Sequence, residues 1–164
     1  MDINKKKVLL IDLDGTLIKP VEGKIFPKDI TDFRIRKDVA DRIRSLKNVV
    51  RVAIVSNQGG IPEYVDEADF IAKIKTIEFF LFAYCKVAVS SHYCTDKDDS
   101  HRRKPDIGML EEVTETLPHN LRDKSKMLMI GDASGKEGDF SDSDLMAAKN
   151  YGIDYLDVEE FVNV

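Results

Sequence analysis

The 164-residue chain contains no tryptophan, only two cysteines and only three histidines. Cys85 and Cys94 cannot form a disulfide framework, so a reducing compartment is the expected setting. A run long enough to cross a bilayer is also missing: the longest apolar stretch, residues 79–85, is far too short. The lysines at 5–7 lead into a brief apolar run broken by Asp12, which is not a signal peptide. The expected location is therefore the cytoplasm, or the nucleus of a eukaryote, with no membrane partner. An excess of positive charge is lacking too. With 25 Lys and Arg against 30 Asp and Glu, the formal net charge is −5. Such a surface gives no global attraction to nucleic acid or acidic lipid, so a polyanion would need a local basic patch or a metal. There is no internal repeat, low-complexity tract or linker, and the length suits one domain over residues 1–164.

What is present is an alternation of short apolar runs and amphipathic segments. Residues 8–11, 49–55, 87–89 and 127–130 are rich in Val, Ile, Leu or Met, as strands buried on both faces require, and a last strand is expected near 153–156. Between them, Val39, Ile43 and Leu46 share one helical face. Phe70, Ile74, Ile77, Leu81 and Tyr84 mark a longer helix with Asp66 as its N-cap. Ile107, Leu110, Val113 and Leu117 mark a third, opened near its first turn by Pro105. A fourth runs over about 142–150, with Gly152 as its C′ residue, and a short helix near Glu159 closes the chain. This order predicts a three-layer α/β fold around a parallel sheet. Residues 18–26, with Glu22-Gly23 at the middle, read as a small hairpin flap, and no segment is large enough for a cap domain.

The residues that follow the strands carry the chemistry. The first strand delivers Asp12 and Asp14, the second Ser56-Asn57-Gln58-Gly59-Gly60, and the fourth Gly131-Asp132. The third leads through a polar loop to Arg102-Arg103-Lys104-Pro105. In a parallel sheet these C-terminal ends share one edge, where open α/β folds bind ligands. An aspartate can attack phosphorus to form an aspartyl-phosphate, and a second can protonate the leaving alkoxide and then activate water. Facing negative charges oppose both steps, and Mg²⁺ held by carboxylates relieves that opposition. Asp132 supplies the distal carboxylate. Ser56, the N–H groups after it and Lys104 would hold the phosphoryl oxygens. The segment 131–138 invites a nucleoside-triphosphate reading. Gly131 and Gly135 are separated by three residues rather than four, and Glu137 stands where Ser or Thr is needed, so no such site is expected.

"DLDGT", "SNQGG", "RKP" and "GDASG…DFSDSD", in this order, resemble the four signature motifs of the haloacid dehalogenase-like phosphatases. The resemblance implies Asp12 as nucleophile and Asp14 as general acid and base, the backbone carbonyl of Asp14 also serving as a metal ligand. It implies Ser56 and Lys104 on the phosphate and Asp132 on Mg²⁺. "GKIFP…DFR" and "DFSDSD" are similar to the phosphatase domain of the polynucleotide kinase 3′-phosphatase family. That likeness implies polynucleotide 3′-phosphate ends, DNA or RNA, as substrate; a chain of this length has no room for the accompanying kinase domain. A small-metabolite phosphatase for a sugar or histidinol phosphate is the alternative, and an idle binding module is disfavoured by the intact set.

Four assignments stay open at this level. Asp144 is either a helix N-cap or a support of the metal site, with Asp139 and Asp142 weaker candidates. Asn57 and Gln58 are counted with the substrate-binding residues, as are Arg34 and Arg103. Arg34, Arg36 and Lys37 are either a solvated helix start or a patch tracking phosphates, together with Arg102. His92, Cys94 and His101 precede "RKP" where related phosphatases carry a zinc loop, but three candidates fall short of the usual four ligands, and zinc is not expected.

Overall fold

The computed structural model of the protein describes residues 1–21, 29–98 and 100–164. In chain order its main elements are β1 (Val8–Ile11), β2 (Ile18–Lys19), β3 (Arg34–Ile35), α1 (Lys37–Ser45), β4 (Arg51–Asn57), α2 (Glu67–Cys85) and β5 (Ala88–Cys94). There follow α3 (Gly108–Thr116), β6 (Met127–Gly131), α4 (Ser143–Tyr151), β7 (Asp154–Asp157) and α5 (Val158–Asn163). Five strands form one parallel sheet in the order β5-β4-β1-β6-β7.

The central strands explain the layers. Successive side chains of a strand point to opposite faces. Leu9 and Ile11 of β1 accordingly enter one core with Ile43, Phe70, Ile77, Leu81 and Phe161, under α1, α2 and α5. Val8 and Leu10 enter the other with Met109, Val113, Ala147 and Tyr151, under α3 and α4. All four residues of β1 and all five of β6 are buried, which is why these runs are uniformly apolar. Each such side chain contributes roughly 1.5–3 kcal/mol relative to exposure.

Helix ends follow local chemistry. The Asp66 carboxylate accepts from the N–H groups of Ala68 and Asp69 at 2.9 and 3.1 Å, capping α2 as expected. Gly152, at φ +81°, ends α4 in the left-handed region.

Several expectations shift. β4 begins at Arg51 because Val49 is held in a turn on Leu46. β5 runs on through Ser90, Ser91, His92 and Tyr93; as an edge strand it is only partly covered and tolerates polar side chains. α3 starts at Gly108, three residues beyond Pro105, because the Gly108 N–H donates to the His101 carbonyl at 2.7 Å and closes the 101–108 loop on itself. β2 pairs antiparallel with β3, Ile18 opposite Ile35, and the return arm of the hairpin expected over 18–26 lies outside the described residues. So does its expected middle, Glu22-Gly23. Among the described residues no helix is long and apolar enough to cross a membrane.

Candidate active site

Register places the site. Ile11 lies opposite Ile54 on one side and Ile130 on the other. Asp12 and Asp14, Ser56 and Asp132 therefore leave the sheet at nearly one level, on the C-terminal edge of its three central strands. The Asp12 N–H still donates to the Ile130 carbonyl at 2.9 Å, so the sheet itself fixes the backbone of that residue.

The two motif glycines have a steric reason. Gly15 sits at φ +85°, and a Cβ there would lie 2.0 Å from Asp132 Oδ2. A Cβ on Gly131 would lie 2.2 Å from Asp144 Oδ2. Backbone without side chains is what lets the carboxylates close in.

Oxygens of Asp12, Asp132 and Asp144 can all lie within 4.8 Å of one another. One ammonium stands among them. Lys104 Nζ donates to Asp12 Oδ1 at 2.7 Å, to Asp144 Oδ1 at 2.7 Å and to the Val55 carbonyl at 2.8 Å. All three of its protons are thus used, and Asp12 Oδ2 is left without a protein hydrogen bond among the described residues. Burial pushes the Asp12 carboxyl up to about 8; Lys104 pulls it down, while Asp144 and Asp132 add to the rise. Burial likewise holds the Asp132 carboxyl above the usual carboxylate range, with Asp144 adding to it. Burial works against the charge on Lys104, but Asp12 and Asp144 more than offset that and hold it above the ordinary lysine value.

Each of these groups is braced. Thr16, fully buried, donates through Oγ1 to Asp132 Oδ1 at 3.2 Å. Tyr155 Oη donates to the Gly131 carbonyl at 3.0 Å, holding the peptide ahead of Asp132. Asp144 is not the N-cap of α4, a position that Asp142 occupies without a side-chain bond. Its side chain turns inward, taking Lys104 on one oxygen and the Ala133 N–H, at 3.2 Å, on the other. Asp139 organises the loop instead, accepting from the N–H groups of Ser134 and Lys136 at 3.0 Å each.

The second motif divides its labour in a way its letters do not reveal. Asn57, expected on the substrate, clamps the lysine loop: its Nδ2 donates to the Lys104 carbonyl and its Oδ1 accepts from the Lys104 N–H, both at 2.9 Å. Gln58 Nε2 donates to Asp14 Oδ2 at 2.7 Å and to Ser56 Oγ at 2.8 Å, tying the exposed Asp14 to the buried Ser56. Sequence reasoning did not single out Thr16 or Tyr155. The threonine of "DLDGT" was the available signal for the first; nothing in the letters marked the second.

The basic residues do not gather. Arg34 is exposed on β3. Arg36 is buried and ties α1 to α5, its guanidinium donating to Asp38 at 2.6 Å and Glu159 at 2.8 Å, so it is neither a solvated helix start nor a phosphate-tracking group. Arg102 pairs with Glu112, and Arg103 Nη1 donates to the Asp96 carbonyl at 2.8 Å. The histidines and Cys94 also part company. His92 Nδ1 lies 3.4 Å from Glu112, His101 Nε2 lies 2.6 Å from Glu111, and Cys94 Sγ lies 3.6 Å from both Asp96 and Ser100.

A solved structure shares this fold. The D,D-heptose 1.7-bisphosphate phosphatase from B. bronchiseptica, complexed with magnesium and phosphate, matches with a TM-score of 0.69 at 21% identity, over 91% of this chain and 78% of that one. The fold is that of the haloacid dehalogenase-like phosphatases. Within the class, the chain belongs to the polynucleotide kinase 3 phosphatase family, whose model matches residues 7–162. It is similar to the bifunctional polynucleotide phosphatase/kinase of Schizosaccharomyces pombe, at 33% identity over 95% of this chain and 37% of that protein. It is also similar to the histidine biosynthesis bifunctional protein HisB of Campylobacter jejuni, at 29% identity over 90% of this chain and 40% of the relative. The chain thus spans well under half the length of either relative.

Proposed function

We propose that this protein removes the terminal 3′-phosphate from polynucleotide ends, with Mg²⁺ as cofactor and Asp12 as nucleophile. The observation that carries the chemistry is the charge count at the sheet edge: three carboxylates share one ammonium within a few ångströms. Hard oxygen donors that remain net negative after their lysine is counted fit a divalent cation. Asp12 and Asp132, with the carbonyl of Asp14, would hold it, and Asp144 would support the set. When bound, the ion supplies charge neutralisation between the carboxylates and a phosphoryl group.

The protein groups then have separable tasks. Lys104 pins one oxygen of Asp12 and leaves the other to attack phosphorus. As the new O–P bond forms, the bond to the 3′-oxygen breaks, and Asp14 donates its proton to that leaving oxygen. Gln58 holds Asp14 at hydrogen-bond distance beforehand. Asp14, now a carboxylate, takes a proton from water, whose oxygen attacks the acyl-phosphate; phosphate leaves and Asp12 is restored. Ser56 would hold an equatorial oxygen, whereas the Gln58 N–H after it is already donated to the Cys94 carbonyl at 2.7 Å.

The polynucleotide substrate is supported by the family match and by the named activity of the S. pombe relative. The likeness to HisB supports a second reading, a small-metabolite phosphatase using the same residues. Assaying the purified protein with a 3′-phosphorylated oligonucleotide, histidinol phosphate and a sugar phosphate separates the two. The oligonucleotide should give the highest kcat/KM, by roughly tenfold or more; the reverse order would replace the first reading with the second.

A further inference from the structure

Most cations near this crevice are matched by a carboxylate or a carbonyl. Lys37 has Asp41, Lys97 has Glu63, Arg36 has Asp38 and Glu159, Arg102 has Glu112, and Arg103 has the Asp96 carbonyl. Lys73, in the second turn of α2, has none: among the described residues no carboxylate lies within ion-pair distance of it. It is only partly exposed, and its Nζ lies over the Phe33 ring at 5.1 Å from the centroid.

Phe33 sits directly before β3 and packs against the main core. β3 pairs with β2, which leaves the Asp14 turn, and Asp14 itself bridges to Ile18. α2 begins at the same C-terminal edge of the sheet, after the Ser56 loop. Lys73 and Phe33 are therefore tied to the elements that follow the Asp14 turn, and Asp14 is the group that serves the leaving oxygen in the proposed reaction. Burial holds the Lys73 ammonium below the usual lysine range, and the Asp14 carboxylate is the charge that pulls the other way.

A partly desolvated ammonium with no carboxylate beside it among the described residues carries a cost that a ring face offsets only in part. An anionic ligand would supply the rest. On the reading that the substrate is a polynucleotide 3′-end, we propose that Lys73, seated on Phe33, receives the phosphodiester joining the terminal nucleotide to its neighbour. Lys73 is then a specificity-determining residue: it rewards a chain over a mononucleotide, because a mononucleoside 3′-phosphate has no such group.

The shortest pair of substrates that differs in this respect is thymidine 3′-phosphate and the 3′-phosphorylated thymidine dinucleotide. The test compares kcat/KM for both in wild type, in Lys73→Met, which keeps an apolar stem over Phe33, and in Lys73→Arg. The ratio of dinucleotide to mononucleotide should fall about five- to tenfold in Lys73→Met, the size of one charge-assisted contact, through KM rather than kcat. Lys73→Arg should restore it, and raised salt should lower the wild-type ratio toward that of Lys73→Met. If Lys73→Met melts early, Lys73→Gln is measured in its place. Equal losses on both substrates, or no change on either, would overturn the assignment while leaving the polynucleotide reading intact. A wild type that does not hydrolyse the dinucleotide or a longer oligonucleotide would overturn that reading itself, and this subsite with it.

Discussion

Among the described residues two lysines are almost wholly buried, at opposite ends of the same sheet, and they are answered differently. Lys6 precedes β1; its ammonium bonds to the Ser125 carbonyl at 2.8 Å and to the Asp154 carboxylate, half of which still faces water. That is one charge against one, with a solvent contact to ease the pairing. Lys104, at the other end, meets two carboxylates whose side chains are 12% and 2% exposed, with Asp132 beside them. A buried lysine is therefore not in itself a sign of chemistry. The excess of unmatched negative charge around it is, because folding alone has no use for an arrangement that raises the cost of the Asp12 and Asp132 carboxylates.

Removing the charge that the reaction uses should produce the largest effect. Asp12→Asn keeps the shape and the Lys104 contact but not the attacking oxygen anion, and kcat should fall roughly 10⁴-fold or more. Circular dichroism should show the fold intact. Activity within about tenfold of wild type would remove Asp12 from the nucleophile's role.

The two lysines can then be set against each other directly. Lys104→Met should lower kcat/KM by about 10²–10³ by freeing both Asp12 and the phosphate-facing loop. Lys6→Met should leave turnover nearly unchanged and instead cost about 1–3 kcal/mol in a denaturant titration, less than a fully buried pair because Asp154 is half in water. If Lys6→Met proved as damaging to turnover as Lys104→Met, the contrast between a structural and a functional lysine would fail.

How much of this was legible in the letters follows the same division. The strands β1 and β6 were readable almost to the residue because burial on both faces leaves unbroken apolar runs. β5 was not, since an edge strand can carry Ser90, Ser91 and His92 and still pair. The residues at the sheet edge are readable from their position after each strand: Asp12, Ser56 and Asp132 stand at neighbouring strand ends, and the 101–108 loop returns Lys104 to Asp12. Supporting contacts were not. Asn57 and Gln58 looked like substrate ligands because they follow Ser56, yet which way an amide faces is decided by the loop that returns to it, 47 residues later in the case of Lys104. Arg36 and Lys73 illustrate the same limit with opposite outcomes. Both are basic residues beside apolar ones; only the packing shows that one is tied between two helices and the other sits on a ring with no carboxylate beside it among the described residues.

The smallest expected effect separates the two ends of the sheet without any turnover. Asp12 ordinarily titrates near 3.8 and is pushed up to about 8 in the fold. Between those values the folded protein holds a proton that the unfolded chain has released, so in chelator its contribution to stability falls as pH rises from about 4 through about 8. Asp132, raised for the same reason, acts in the same direction. His92 works the other way. Burial depresses its proton affinity, the unfolded chain binds the proton more readily, and stability from that group rises as pH climbs up to the ordinary histidine value and is then fully present. A single melting curve mixes these terms, and the difference between wild type and Asp12→Asn cancels the histidine. Measured in chelator, Asp12→Asn should melt a few degrees above wild type at pH 8, with the gap closing toward pH 5. Added Mg²⁺ should close it at pH 8 as well, by relieving the wild-type carboxylates. A gap that is absent in chelator, or unaffected by both acid and Mg²⁺, would mean that the cluster around Lys104 is as well balanced as the pair around Lys6.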